Sequence, residues 1–310
     1  MKVVKINRYG GADELQVVDI PMPVCKANEL LVRNKVATVN PYDCMARNGD
    51  VKMLEGFRFP KILGSECSGV VEEVGSAVRT FKKGDSVIVT TGRNGAYSEF
   101  VSVSESKVAP LPESVSFSHG ASLPVAGTSA YDALHKLGEI KDGYHVLING
   151  AYGSMGSFAV QLAKLAGATV TASCSAASFE MVKAIGADEV VDYTQTDFLK
   201  TGKQYDIILD TPSVWKFSHM KDCLTERGVL IGTLPTPVGM ITQLITSFGK
   251  RKYRVLFADP TKEKISLLAN LVREGKCKVI VDREYGVHQI ADAHRYSETK
   301  RAKGKIVIRF

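Results

Sequence analysis

The sequence predicts an α/β chain in which a doubly wound parallel sheet is inserted into a β-rich domain. Three observations carry that expectation. The residues before Ser116 read as short strands and turns. From Tyr144 onward strands and helices alternate, the pattern of a parallel sheet with helices on both faces. The last residues return to short elements and close on the apolar run Lys305 to Phe310. A β opening, an α/β middle and a β close imply that one domain interrupts another. The outer domain is expected over 1–118 and 285–310, and the inserted one over 119–284.

Each element has its own signal. Val3 to Ile6, Leu15 to Ile20, Leu30 to Val39, Gly69 to Val74 and Ser86 to Thr90 are rich in β-branched and apolar residues. Gly10-Gly11, Pro21-Met22-Pro23 and Lys83-Gly84-Asp85 supply turns between them. Leu123 to Leu137 has apolar residues at helical spacing ahead of Gly138. In the α/β region, strands are expected at Tyr144 to Asn149, Ala168 to Ser173, Val190 to Asp192, Asp206 to Asp210, Gly228 to Gly232 and Arg254 to Phe257. Helices are expected at Gly156 to Ala166, Phe179 to Ile185 and Lys262 to Arg273. A short strand at Val279 to Val281, a helix around Ile290 to Thr299 and a final strand complete the chain. The segment Gly239 to Tyr253 mixes apolar and cationic residues; an amphipathic helix is the expectation, with a homodimer interface, a pocket cover or a peripheral membrane contact as its uses.

Composition narrows the function classes. Hydrophobic residues at 45% and charged residues at 24% are the balance of a core-burying protein rather than a disordered one. The net charge is +7, but Lys and Arg are dispersed apart from Lys250-Arg251-Lys252 with Arg254. Such a surface suits an anionic cofactor better than a nucleic acid. The six cysteines are scattered without metal-site spacing, no leader-like apolar core follows Met1, and no apolar run has membrane-spanning length. Reduced thiols and a cytoplasmic location are therefore expected.

The strongest local signal is Val146-Leu147-Ile148-Asn149-Gly150-Ala151-Tyr152-Gly153-Ser154-Met155-Gly156: a strand, a tight turn and a helix start. Glycines let the backbone approach a pyrophosphate, and the helix start offers free N–H groups to its oxygens. Ala151 stands where the first glycine of the dinucleotide fingerprint would be, so Ala151, Gly153, Ser154, Met155 and Gly156 are the expected cofactor cradle. An acid about 20 residues beyond would bind the ribose 2′-OH of NAD. Here the second strand ends Ser173-Cys174-Ser175, with no Asp or Glu. NADPH is thus expected over NADH, with Ser173, Ser175 and Tyr193, and Lys164 or Lys183, as candidate contacts.

At this point the order of motifs resembles a known group. Asn40-Pro41-Tyr42-Asp43, Gly64-Ser65-Glu66-Cys67-Ser68-Gly69, Leu123-Pro124-Val125-Ala126-Gly127-Thr128, the glycine turn, Gly186-Ala187-Asp188 and Gly304-Lys305-Ile306-Val307 run in the order of the medium-chain dehydrogenase/reductase superfamily. Within it the chain is similar to the zinc-independent quinone oxidoreductases, including chloroplast-envelope quinone oxidoreductase homologues and alkenal reductases. The resemblance covers essentially the whole chain. It implies a GroES-like β domain carrying a Rossmann domain, and NADPH-dependent reduction of a quinone or of the C=C bond of an α,β-unsaturated carbonyl. It also implies that the zinc-ligand positions of the alcohol-dehydrogenase branch fall on Asn40 and Ser65, an amide and a hydroxyl that are not usual zinc ligands.

The same resemblance places Tyr42 and Asn40 at the reacting centre, Tyr42 as proton donor or pocket wall and Asn40 as a positioning residue near the nicotinamide. It brings Thr128 toward the nicotinamide and Lys305 toward a cofactor phosphate. Two alternatives stay open: an enoyl-thioester reductase, and an NADPH-responsive protein that binds nucleic acid or a partner with little turnover.

Overall fold

The computed structural model describes residues 1–195, 197 and 200–310, and they form two compact units. One comprises Met1–Val125, Pro260–Gly275 and Val279–Phe310; the other comprises Ala126–Asp259 and Lys276–Lys278. The division differs from the expected 119–284 insertion because Lys262–Arg273 belongs with the β-rich unit. That helix packs on the strand Val108–Pro110, and the Lys262 ammonium lies 4.9 Å from the centre of the Phe81 ring.

The β-rich unit holds a seven-stranded, mostly antiparallel sheet and a three-stranded one. The long strand Glu29–Val39 is the spine of the larger sheet. It pairs antiparallel with Glu66–Val74, with Phe100–Ser104 and with the closing strand Lys305–Arg309. The last two run along different stretches of it: Phe100–Ser104 on Glu29 to Arg33, Lys305–Arg309 on Val36 to Val39. Leu30, Val32, Ala37, Val39, Cys67, Val87, Val89, Tyr97, Ile306 and Ile308 form its core. The Asn40-Pro41-Tyr42-Asp43 motif opens a helix, Pro41–Asn48. Pro41 at the first helical position and Gly49 in the left-handed conformation (φ 90°) are its start and stop.

The second unit is a six-stranded all-parallel sheet. Its spatial order is Glu189–Asp192, Thr169–Cys174, His145–Asn149, Tyr205–Asp210, Leu224–Gly232, Lys252–Val255. The central strands are continuous apolar runs, Val146-Leu147-Ile148 and Ile207-Ile208-Leu209. All six residues are fully buried, as a sheet covered on both faces requires. Strand order reverses between His145–Asn149 and Tyr205–Asp210, so the ligand-binding crevice of such a sheet lies at their carboxyl ends. The apolar stretch Leu123 to Leu137 is one α-helical turn flanked by wider turns, Leu123–Gly127 and Asp132–Leu137, rather than a uniform helix.

Candidate functional site

At the switch point the glycine turn joins the strand His145–Asn149 to the helix Ser154–Leu165. Asn149 Nδ2 donates to Asp210 Oδ1 (2.8 Å), and Thr211 Oγ1 donates to the Asn149 carbonyl (2.8 Å). These bonds tie the two central strand ends together. Gly150 sits at φ +74°, and its N–H and that of Ala151 both donate to the Ser173 carbonyl. Gly156 is buried against the turn: a Cβ there would fall 2.2 Å from the Gly150 carbonyl oxygen and 2.7 Å from Ala151 Cα. Gly153 is different. Its backbone is extended (φ −72°, ψ 170°), and a Cβ would meet nothing closer than 3.5 Å. The chain's own packing gives no reason for a bare Cα there, whereas a close-lying ligand does.

No side chain caps the helix at Gly153. Its first N–H groups therefore keep their donor capacity. Tyr152, Gly153, Ser154 and Met155 form the partly open rim of the turn, while Ala151 and Gly156 are buried behind it. Ala151 thus shapes the turn from inside rather than offering its N–H to a phosphate.

The end of the second strand is open in part. Ser173 is fully buried, and its hydroxyl has no hydrogen-bond partner among the described residues. Its side chain is enclosed rather than presented at the surface of the strand end. Ser175 is half-buried and Tyr193 is exposed, so both remain available. Lys164 is not: its ammonium donates to both oxygens of Asp188 (2.9 and 2.8 Å) and to the Ala168 carbonyl. Sequence reasoning missed Tyr152, whose phenol is raised by burial and by the neighbouring Tyr193. It also missed Asp192, which lies beside Cys174 in the next strand. The Asp192 carboxylate is engaged, accepting from the Thr194 hydroxyl and backbone, which hold it below the usual range. Thr128 is fully buried in the helical turn Thr128–Tyr131.

In the β-rich unit, the other expected site residues form a buried polar cluster centred on Glu66. The Lys305 ammonium lies 2.5 Å from Glu66 Oε1 and donates to Asn40 Oδ1 (2.6 Å). Asn40 Nδ2 donates to Glu66 Oε1 (3.0 Å), as does the Thr38 hydroxyl, and the Val125 N–H donates to Glu66 Oε2 (2.6 Å). Lys305, Glu66 and Asn40 are all buried. The expectation that Lys305 reaches a cofactor phosphate is therefore corrected. A buried ammonium needs a fixed counter-charge, and Glu66 supplies it. Asn40 likewise commits both ends of its amide within the unit. Asp43 Oδ2 accepts the Asn40 N–H (2.7 Å), and Ser65 donates to Asp43 Oδ1 (3.1 Å). Burial pushes the Asp43 carboxyl up to about 7, with Glu66 adding to the shift and the Asn40 N–H, Lys305 and Ser65 opposing it.

Tyr42 is half-buried on the same helix, and its hydroxyl donates to Glu55 Oε1 (2.6 Å). Glu55 Oε2 in turn accepts from Asn94 (2.6 Å). Burial and this carboxylate raise the phenol well above its ordinary range. Its single hydrogen is committed, a feature the sequence did not reveal because Glu55 is thirteen residues away.

A doubly wound sheet of this order, with an uncapped glycine turn at its switch point and a β-rich companion unit, defines a dinucleotide-dependent oxidoreductase. Residues 26–113 match the alcohol dehydrogenase GroES-like domain family, and residues 185–308 match the zinc-binding dehydrogenase family. The chain is 35% identical to the chloroplast envelope quinone oxidoreductase homolog of Arabidopsis thaliana, over 99% of this chain and 98% of the relative. It is 30% identical to the chloroplastic NADPH-dependent alkenal/one oxidoreductase of Arabidopsis thaliana, over 99% of this chain and 79% of the relative. Its structure superposes on the Escherichia coli quinone oxidoreductase complexed with NADPH with a TM-score of 0.87, at 26% identity and with all of both chains covered. The chain belongs to the quinone oxidoreductase family of the medium-chain dehydrogenase/reductase superfamily and is an NAD(P)-dependent enzyme.

Two points follow for the expectations. The relatives bear chloroplast or mitochondrial names, a finding that overturns the expected cytoplasmic location. The second family description implies zinc, and the donor set does not fit it. The positions where the resemblance would put zinc ligands carry the Asn40 amide and the Ser65 hydroxyl, beside a carboxylate already neutralised by Lys305. Cys44 lies 3.5 Å from His294 Nδ1, but burial pushes the thiol up to about 12 and the imidazole down to about 3. Among the described residues, no three His, Cys, Asp or Glu side chains are grouped to hold a metal.

Proposed function

We propose that the chain reduces quinones or the C=C bond of α,β-unsaturated carbonyls with NADPH and without zinc. The observation that carries this reading is the bare, unstrained Cα of Gly153 beside an uncapped helix start: a cradle that a Cβ would occupy and the protein itself does not use. When bound, NADPH supplies the hydride. The protein's part is placement. The N–H groups of Ser154, Met155 and Gly156 face the diphosphate, and the helix start favours its negative charge. NADPH is favoured over NADH because the second strand ends without an acid. Ser175, Tyr193 and Tyr152 line the 2′-phosphate region in this reading.

A quinone or enone is electrophilic enough to accept hydride without a Lewis acid, which agrees with a Glu66 whose counter-cation is Lys305. Tyr42 holds its proton tightly and gives its hydrogen bond to Glu55, so it walls the pocket and solvent supplies the final proton. Asn40 acts through the Glu66–Lys305 cluster as a positioning residue. The test is oxidation of NADPH and of NADH against a panel of quinones and short alkenals, with bound metal quantified. Turnover by metal-free protein, faster with NADPH, is expected. Turnover that appears only with stoichiometric zinc, or only with simple alcohols and ketones, would refute the reading.

A further inference from the structure

The helix Pro237–Thr246 is built inside out. Thr236 caps it, accepting from the Gly239 N–H (3.0 Å), and Pro237 opens it. It runs along the outermost strand of the parallel sheet, Lys252–Val255. Gln243 Oε1 accepts the Val255 N–H (2.7 Å), and Thr246 Oγ1 accepts the Tyr253 N–H (3.0 Å). These are the donors that a further strand would use, so the helix closes the sheet edge with polar side chains. Its inward face is therefore Gly239, Gln243 and Thr246.

The apolar residues are left outside. Val238 is 74% exposed, Ile241 58%, Leu244 66% and Ile245 68%, and Phe248 just beyond the helix is 91% exposed. Their spacing of three and four residues sets them on one face. A surface helix of a globular protein normally does the reverse, burying this stripe and exposing the polar one. A contiguous exposed apolar face marks a contact surface.

Charge identifies the occupant. Between Val214 and Arg254 the chain has seven cations (Lys216, Lys221, Arg227, Lys250, Arg251, Lys252, Arg254) and two acids (Asp222, Glu226), a net +5 of the whole chain's +7. Both acids are already paired, Asp222 with Arg251 and Glu226 with Lys250, at the Phe248 end of the helix. A second copy would carry the same net positive charge over this stretch and offers it no complementary partner. An anionic bilayer complements both features, with cations among headgroups and aliphatic side chains at the acyl boundary. We propose that Pro237–Thr246, with Phe248 and the basic run Lys250-Arg251-Lys252, lies flat on an anionic phospholipid surface. No helix among the described residues is long and apolar enough to cross a membrane, so the contact lies on the surface. This inference stands on the second unit alone and does not depend on which acceptor the enzyme reduces.

The experiment is co-sedimentation of the full chain with vesicles of phosphatidylcholine, alone or mixed three-to-one with phosphatidylglycerol, at low and high salt. Light scattering gives the mass in solution. Partition onto the phosphatidylglycerol vesicles is expected to exceed that onto phosphatidylcholine by about tenfold or more and to fall with salt. Leu244→Glu with Phe248→Glu should lower it by at least about tenfold, with circular dichroism unchanged; Phe248→Ala, a milder change, should lower it partly. Equal partition onto both vesicles, no partition by the wild type, or partition unaffected by the double variant would overturn the proposal. So would a wild-type dimer that the double variant converts to monomer without any vesicle binding, since a second copy would then be the occupant.

Discussion

Gly153 and Gly156 stand three residues apart in one turn, and the structure predicts opposite consequences for filling them. At Gly156 a Cβ would lie 2.2 Å from a backbone oxygen, so Gly156→Ala forces the turn off the helix. Overpacking of this kind costs about 1–3 kcal/mol of stability. At Gly153 a Cβ finds no atom within 3.4 Å, and the φ of −72° is ordinary for any residue. Gly153→Ala should hold or raise stability, because a compatible Gly→Ala change gains about 0.4–1 kcal/mol from the unfolded chain. For the bound nucleotide the order reverses. A Val at 153 projects two methyls toward the diphosphate and displaces roughly two charge-assisted hydrogen bonds, each worth about 1.5–3 kcal/mol. Gly153→Val should therefore weaken NADPH binding by about a hundredfold or more, since about 1.4 kcal/mol is tenfold. Urea unfolding and calorimetric titration of NADPH read the two quantities separately. A Gly153→Val protein that is as stable as wild type and binds NADPH equally well would refute the cradle.

Other predictions follow from the β-rich unit. Lys305→Met leaves Glu66 charged and buried, so unfolding free energy should drop by about 3–5 kcal/mol, and adding Glu66→Gln should restore part of it; additive losses in urea titrations would deny the coupling. Asp43 stays protonated in the fold until about pH 7, against 3.8 for an ordinary aspartate carboxyl. Between those values the folded state binds more protons than the unfolded one, so this carboxyl's contribution falls as pH rises from about 4 to about 7 and is constant outside that window. Asp43→Asn should remove that slope, and a wild-type-minus-variant stability difference independent of pH would contradict it. Tyr42→Phe should cost about 1 kcal/mol of stability through the Glu55 bond and leave kcat within about twofold. A large fall in kcat at constant KM would restore Tyr42 as the proton donor.

How much was legible depended on how local the signal was. Ser86–Thr90 and Lys262–Arg273 fall where the pattern of residues put them, because strand alternation, apolar periodicity and a stop glycine all act over a few residues. The glycine turn was legible for the same reason. The helix Pro41–Asn48 carries its own start and stop signals in Pro41 and Gly49. What could not be read were partners distant in sequence. Lys305 meets Asn40 across 265 residues, and Tyr42 meets Glu55 through a fold-dependent approach. Ser173 looked available because strand-end residues often are, yet the pleat turns its side chain inward. The inverted helix Pro237–Thr246 was visible as an amphipathic segment; which face points outward was fixed by Gln243 and Thr246 bonding the sheet edge.

The central claim is that a dinucleotide lays its diphosphate on the amino end of the helix Ser154–Leu165. A crystal structure of the protein soaked with NADPH tests it most directly. The account predicts phosphate oxygens within hydrogen-bond distance of the Ser154, Met155 and Gly156 N–H groups and in contact with the Gly153 Cα, and the 2′-phosphate beside Ser175 and Tyr193. A nucleotide bound elsewhere, or a turn that stays free of it at saturating NADPH, would contradict the account.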